Sequence, residues 1–183
     1  MTVAGPVAEV VTALSAPLAP LDEAVAALGR DPGLVAWWGD RDEVPVDGPG
    51  HPHDAGWVLL EVGDATMLRN RVTRQDLYRT GVSTLRRALA GLLLDDLGLA
   101  PTWAAEVVLP RADEDRLTAW MRAHLRLSST RREDRQVLLG PVRDVMAPGL
   151  REDREPALSA RARFAAAAGE RPVRDPSVPF RRP

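Results

Sequence analysis

The sequence predicts an α/β domain, a small mixed or antiparallel β-sheet flanked by helices and followed by a helical C-terminal extension. Two short runs, GLVAWWG and WVLLEVG, are almost continuously apolar, end in glycine, and have the length and residue types of buried strands. After Gly63 the apolar spacing changes to a helical period, first in Leu68 and Val72 and then in Leu85, Leu89, Leu92 and Leu93. With 45% of its 183 residues apolar, the chain can bury the core of one ordinary domain.

The elements follow in order. Residues 1–19 form an N-terminal segment, residues 20–150 the domain, and residues 151–183 a helical and disordered tail. Leu21, Val25 and Leu28 recur at helical spacing before Gly29 and Pro32, which stop a short helix. A strand at Gly33 to Gly39 and one at Trp57 to Gly63, antiparallel to it, enclose the polar, Pro/Gly-rich stretch DRDEVPVDGPGHPHDAG, read as a long loop. Trp37 and Trp38 alternate sides of the first strand, so one is expected in the core and the other exposed. Thr66 or Asp64 caps a helix on which Leu68, Val72 and Gln75 share a face, with Arg71 bordering that face and Arg69 turned toward solvent. Ser83 or Thr84 starts the clearest helix, which Gly98 ends. TWAAEVVLP suits a third strand, and DEDRLTAWMRAHLRL a helix with Leu117, Trp120, Met121, His124 and Leu125 inward. A further helix is expected from about Arg135 to Met146; EPALSARARFAAAAGE can be helical, and RPVRDPSVPFRRP has the composition of disorder.

Composition narrows the function classes. The absence of cysteine rules out disulfides, thiolate metal sites and cysteine nucleophiles. All 24 basic residues are arginine, and the net charge of −2 argues against a bulk polyanion binder, so a nucleic-acid site has to be a local patch. No apolar run reaches the roughly 18 residues of a membrane span, and the N-terminus lacks the basic and apolar regions of a secretory signal, so a cytoplasmic protein without membrane contact is expected.

Three segments in this order, DPGLVAWWG, LLEVGDATMLRNRV and STLRRALAGLL, followed by LTAWMRAHLRL, resemble the GIY-YIG nuclease superfamily. They are most similar to small actinobacterial proteins whose GIY-YIG-like domain carries an S-T-L-R-R helix and an L-x-x-W-M-x-x-H helix. The resemblance covers about residues 20–150. It implies a small sheet flanked by helices that cleaves phosphodiesters. Tyrosines of the two name-giving motifs activate water, a helical Arg stabilises the phosphorane charge, and a late Glu holds Mg²⁺.

The match is partial. Gly33, Leu34 and Val35 stand where Gly-Ile-Tyr would be, and Glu61, Val62 and Gly63 where Tyr-Val-Gly would be, so both tyrosines are missing. Arg71 lies eight residues beyond Gly63, as the family's Arg does. Gln75 or Asp76 replaces the helical His, and Val137 to Leu139, where the metal Glu is expected, are apolar. A positioned acid or base contributes about 10²–10⁴ in rate and such groups fail together, so little cleavage is expected to survive. The resemblance therefore implies a catalytically degenerate domain with Gly33, Val35 and Gly63 as its structural motif, Arg71 and Glu61 at the catalytic positions, and a phosphate or nucleic-acid site retained around Arg71.

Arg69, Arg74, Arg86 and Arg87 are the accompanying candidates for nucleic-acid contact, because guanidinium forks suit phosphate oxygens. DNA is favoured over RNA. Two other readings stand beside this one. In the first, an active metal-dependent endonuclease or phosphodiesterase uses Mg²⁺, with Glu61, Asp76 or a later carboxylate supplying the missing base and metal ligand. In the second, the domain is a protein-interaction module with a protein partner and no nucleic-acid ligand. Glu61 has its own bland alternative, a solvent-facing strand residue paired with Arg71. His51 and His53 lack a placed third ligand and are a weak metal signal.

Overall fold

The computed structural model describes residues 5–171. Two helices, α1 (Pro6–Leu14) and α2 (Leu21–Ala27), precede the first strand. The strands are β1 (Gly33–Asp40), β2 (Gly50–His51), β3 (Asp54–Ala65), the paired fragments β4 (Thr102–Trp103) and β5 (Val107–Val108), and β6 (Leu125–Arg131). Five more helices are interspersed: α3 (Leu68–Asn70), α4 (Thr84–Leu92), α5 (Arg111–His124), α6 (Arg135–Met146) and α7 (Ala157–Ala167). A turn of π-helix over Arg71–Asp76 extends α3, and a 3₁₀ turn over Thr80–Val82 leads into α4.

The main sheet has the order β2-β3-β1-β6, with every pair antiparallel. Its central strand β1 is buried along nearly its whole length because helices cover both faces. On one face Leu34, Ala36 and Trp38 pack against Val10 and Leu14 of α1 and Leu138, Val142 and Met146 of α6. On the other, Val35 and Trp37 meet Leu68, Val72, Leu85, Leu89, Leu117 and Met121. Both tryptophans are therefore core residues, Trp37 1% and Trp38 2% exposed, rather than one in and one out. Alternation sorts them between two cores, not between core and water.

Other expectations change for equally local reasons. TWAAEVVLP does not join the sheet; it folds into the separate β4-β5 hairpin. The third long strand of the sheet is β6, which begins at Leu125 directly after His124 ends α5, with no glycine or proline between them to mark the change. The stretch between β1 and β3 is packed rather than free. Val44 and Val46 are buried, Gly50 and His51 form β2, and Leu59 N donates to Pro49 O at 2.9 Å. Beyond β2 the outer edge of β3 is satisfied by the chain after α6: Gly149 N and Leu150 N donate to Leu59 O and Leu60 O at 3.0 and 2.7 Å. Such covering removes the template an open strand edge offers.

The helices α4 and α6 lie where their periodicity places them, and α7 forms within EPALSARARFAAAAGE, the stretch that can be helical. Ser83 caps α4, accepting from Arg86 N at 3.2 Å, but the helix ends at Leu92 rather than at Gly98; turns continue the chain to Gly98, which takes a left-handed φ of +56°. The helical C-terminal extension is docked: Ala157, Ala160 and Phe164 of α7 are buried, and α7 crosses α4 at Gly91, where a Cβ would collide with Ala160 O. Apart from Arg171, the segment RPVRDPSVPFRRP lies outside the described residues.

Candidate functional site

The site begins with a break in the β1-β3 ladder. Trp37 pairs with Glu61 and Trp38 with Leu59, so Leu60 is one residue more than its partner strand supplies. A bulge of this kind turns two successive side chains toward one face. Leu60 joins the core beneath α4, and Glu61 faces the same layer instead of the α1-α6 side. Glu61 is 3% exposed, so it is paired with Arg71 but is not a solvent-facing residue.

The facing element is the wide turn after α3. Leu77 N donates to Val72 O at 3.0 Å, an i→i+5 bond. On an α-helix Arg71 and Asp76 would project about 140° apart. The π winding brings residues five apart nearly into line, and Arg71 Nε lies 3.0 Å from both carboxylate oxygens of Asp76. This differs from the continuous α-helix expected over this segment and is what turns Arg71 toward β3. Asp76 is completely buried and accepts two further bonds, from Trp37 Nε1 at 3.3 Å and Ser83 Oγ at 2.8 Å. On its other side Arg71 Nη2 stands 3.6 Å from Glu61 Oε1. Gly63 lies between them; a Cβ there would come within ordinary contact of both Arg71 Nη2 and Glu61 Oε1.

Electrostatically the two carboxylates are unlike. Burial pushes the Glu61 carboxyl up to about 7, reinforced by the charge of Asp76 and opposed by Arg71 and Arg143. Its Oε2 is buried with no hydrogen-bond partner among the described residues. For Arg71, burial acts to lower the guanidinium's pKa, but Asp76 and Glu61 together outweigh it and the net shift is upward.

Arg71 remains 22% exposed through its side chain and forms part of the wall of a cavity of about 410 Å³. Asp64, Ala65, Thr66, Met67, Asn70 and Gln75 complete its lining. The volume suits a small polar ligand or one segment of a larger one. Mg²⁺, which the resemblance implies for an active enzyme, does not fit these residues. Asp76 has its oxygens engaged by Arg71, Trp37 and Ser83, and Glu61 is buried against a guanidinium. Among the described residues no group of three or more His, Asp or Glu side chains could hold a metal ion. His51 instead places Nε2 3.1 Å from Ala16 O and packs edge-on against Trp38, and burial lowers its pKa.

The candidate arginines separate into three kinds. Arg69 and Arg74 are exposed and make no ion pair among the described residues. Arg87 is paired with Glu106 at 3.2 Å. Arg86 is not a phosphate contact, because it is wholly buried: Nε donates to Thr80 Oγ1 and Glu114 Oε2, Nη1 to Leu77 O, and Nη2 to Glu114 O and Thr118 Oγ1. Burial lowers its pKa while Glu114 opposes that shift. Consecutive residues on α4 thus face opposite environments, a difference that the pair Arg86-Arg87 does not display in sequence. Gly33 and Val35 are scaffold: a Cβ on Gly33 would collide with Thr130 O, and Val35 is core. Trp37 and Ser83 were not anticipated as supports of Arg71 through Asp76. The available signal for Ser83 was only its helix cap, and for Trp37 only a core aromatic.

No protein-family model, curated protein or solved structure matches this chain.

Proposed function

We propose that this domain binds a phosphate-bearing ligand, nucleic acid first among them, at the cavity beside Arg71 and does not cleave it. The observation that supports this most is the placement of Arg71 in the cavity wall, braced by Asp76, with no set of carboxylates able to hold a metal beside it among the described residues. A guanidinium fixed by a second carboxylate keeps its fork oriented, so a phosphate meets it with little ordering cost. Asp76 and Glu61 also offset its charge, which suits a singly charged backbone diester better than a doubly charged phosphomonoester. Arg69 and Arg74, exposed on the same segment, supply the unpaired charge that a nucleic-acid backbone needs. The motif departures at Val35 and Glu61 agree with a degenerate relative of the GIY-YIG nucleases.

The test is a pair of measurements on the full chain. DNA oligonucleotides should stay intact with Mg²⁺ or Mn²⁺, and they should bind with log K falling against log salt at a slope of about −2 to −3 if Arg69, Arg71 and Arg74 each neutralise a phosphate. Metal-dependent cutting lost in Arg71→Ala would favour an active phosphodiesterase. Absence of binding at low salt would favour a protein-interaction module.

A further inference from the structure

Behind the cavity wall two buried carboxylates share the Arg71 guanidinium, and they share it unequally. Asp76 has Arg71, Trp37 and Ser83 as donors, whereas Glu61 has one contact, 3.6 Å from Oε1 to Arg71 Nη2, and a buried Oε2 with no partner among the described residues. The other charged groups around the pair are Arg143 of α6, which donates to Val62 O at 2.7 Å, and Glu152 after α6, which pairs with Arg143 at 3.3 Å. Asp64 at the end of β3 acts on Arg71 and is itself paired with Arg135 at 3.5 Å. An anion docking on Arg71 thus has, behind the guanidinium, one carboxylate that is well supported by hydrogen bonds and one that is not, while Asp64 is the carboxylate in the cavity wall itself.

We propose that anion binding at Arg71 is coupled to protonation of Glu61, so that the cavity takes up a proton with each phosphate group that docks on the guanidinium. This rests on the phosphate-binding reading of the same site. When Glu61 is neutral, Arg71 is shared with Asp76 alone, and the like charge next to the incoming phosphate is gone. Burial keeps the Glu61 carboxyl near 7 without ligand, and a bound anion raises it further, so the exchange falls in the neutral range. By linkage, affinity rises as pH falls through this range and levels off once Glu61 is protonated in the free protein. Removing one like charge a few ångströms beyond the guanidinium corresponds to about a tenfold gain in affinity.

An unphosphorylated oligothymidylate is a suitable probe, because neither its diesters nor its bases titrate near neutrality. Its binding to the full chain is measured by calorimetry at about pH 6 and about pH 8.5, and near pH 7.5 in two buffers of different ionisation enthalpy. The expected result is about tenfold tighter binding at the lower pH, buffer-dependent heat showing uptake of up to about one proton, and a Glu61→Gln variant that binds tightly at both pH values. Binding without proton uptake, or a variant that keeps the wild-type pH slope, overturns the coupling and leaves phosphate binding intact. Failure of the wild type to bind at either pH overturns both. Should the variant not fold, the ¹³C resonance of the Glu61 carboxyl in the wild type decides, since the coupling requires its titration to move to higher pH on adding the oligonucleotide.

Discussion

Replacing Glu61 by Gln should stabilise the folded protein in a way that depends on pH. The unfolded chain releases the Glu61 proton near 4.5, the folded protein only near 7, because burial and Asp76 disfavour the charge. Between those values the folded state binds more protons than the unfolded state, so stability from this group is greatest below 4.5, declines as pH rises, and is fully lost above 7. At ~1.4 kcal/mol per pH unit the rise from 4.5 to about 7 amounts to roughly 3 kcal/mol. Glutamine has the shape of the protonated carboxyl and does not titrate. Its amide leaves a hydrogen-bonding mismatch at the site of the unpartnered Oε2, but that cost is the same at every pH. The informative quantity is therefore the change in the variant-minus-wild-type difference between about pH 5 and pH 8, expected at roughly 2–3 kcal/mol in favour of the variant. Urea unfolding at several pH values reads it directly, and thermal unfolding should show a relative gain of roughly 4–12 °C for a chain of this size. A difference that stays constant across this range would show that Glu61 does not carry a buried charge at neutral pH and would remove the electrostatic account of the site.

Three further outcomes follow from the packing. Arg86→Met should cost roughly 3 kcal/mol in urea unfolding, because Glu114 loses its buried partner and Leu77 O and Thr118 lose a donor, whereas Arg87→Met, removing a surface pair, should stay within about 0.5 kcal/mol of wild type. Gly91→Ala should destabilise by about 3 kcal/mol or more and loosen α7, seen as faster amide exchange over Ala157–Ala167, because the added Cβ collides with Ala160 O. Arg69→Ala and Arg74→Ala should each reduce the salt slope of DNA binding by about 0.7–0.9 without changing unfolding midpoints, while an unchanged slope would assign both residues to the solvated surface.

Much of the architecture was legible in local patterns. The runs at Gly33 to Gly39 and Trp57 to Gly63, the Ser83-capped helix and the helix from Arg135 to Met146 all lie where apolar period and caps place them, since these signals depend on nearest neighbours along the chain. The strand β6 was hidden because its alternation, Leu125 and Leu127 inward, continues without a break from the inward face of α5. The burial of both Trp37 and Trp38 was hidden because α1 and α6, which cover the second face, are brought there by long-range packing.

At the site the division is sharper. The sequence by itself determined that Arg71 follows Gly63 at a fixed distance, that Glu61 interrupts the apolar run of its strand, and that no thiol chemistry is available. Only the tertiary structure decided which charges meet. The extra residue at Leu60 turns Glu61 inward, the i→i+5 bond at Leu77 sets Asp76 under Arg71, and packing between α4 and α5 buries Arg86 while leaving Arg87 at the surface. The first two are shifts of about one residue in register or winding, and the third turns on which of two adjacent helix positions faces α5. A shift of that size leaves composition and periodicity almost unchanged, yet it reverses the direction of a side chain, and the energy of a buried charge depends on that direction far more than on its position in the chain.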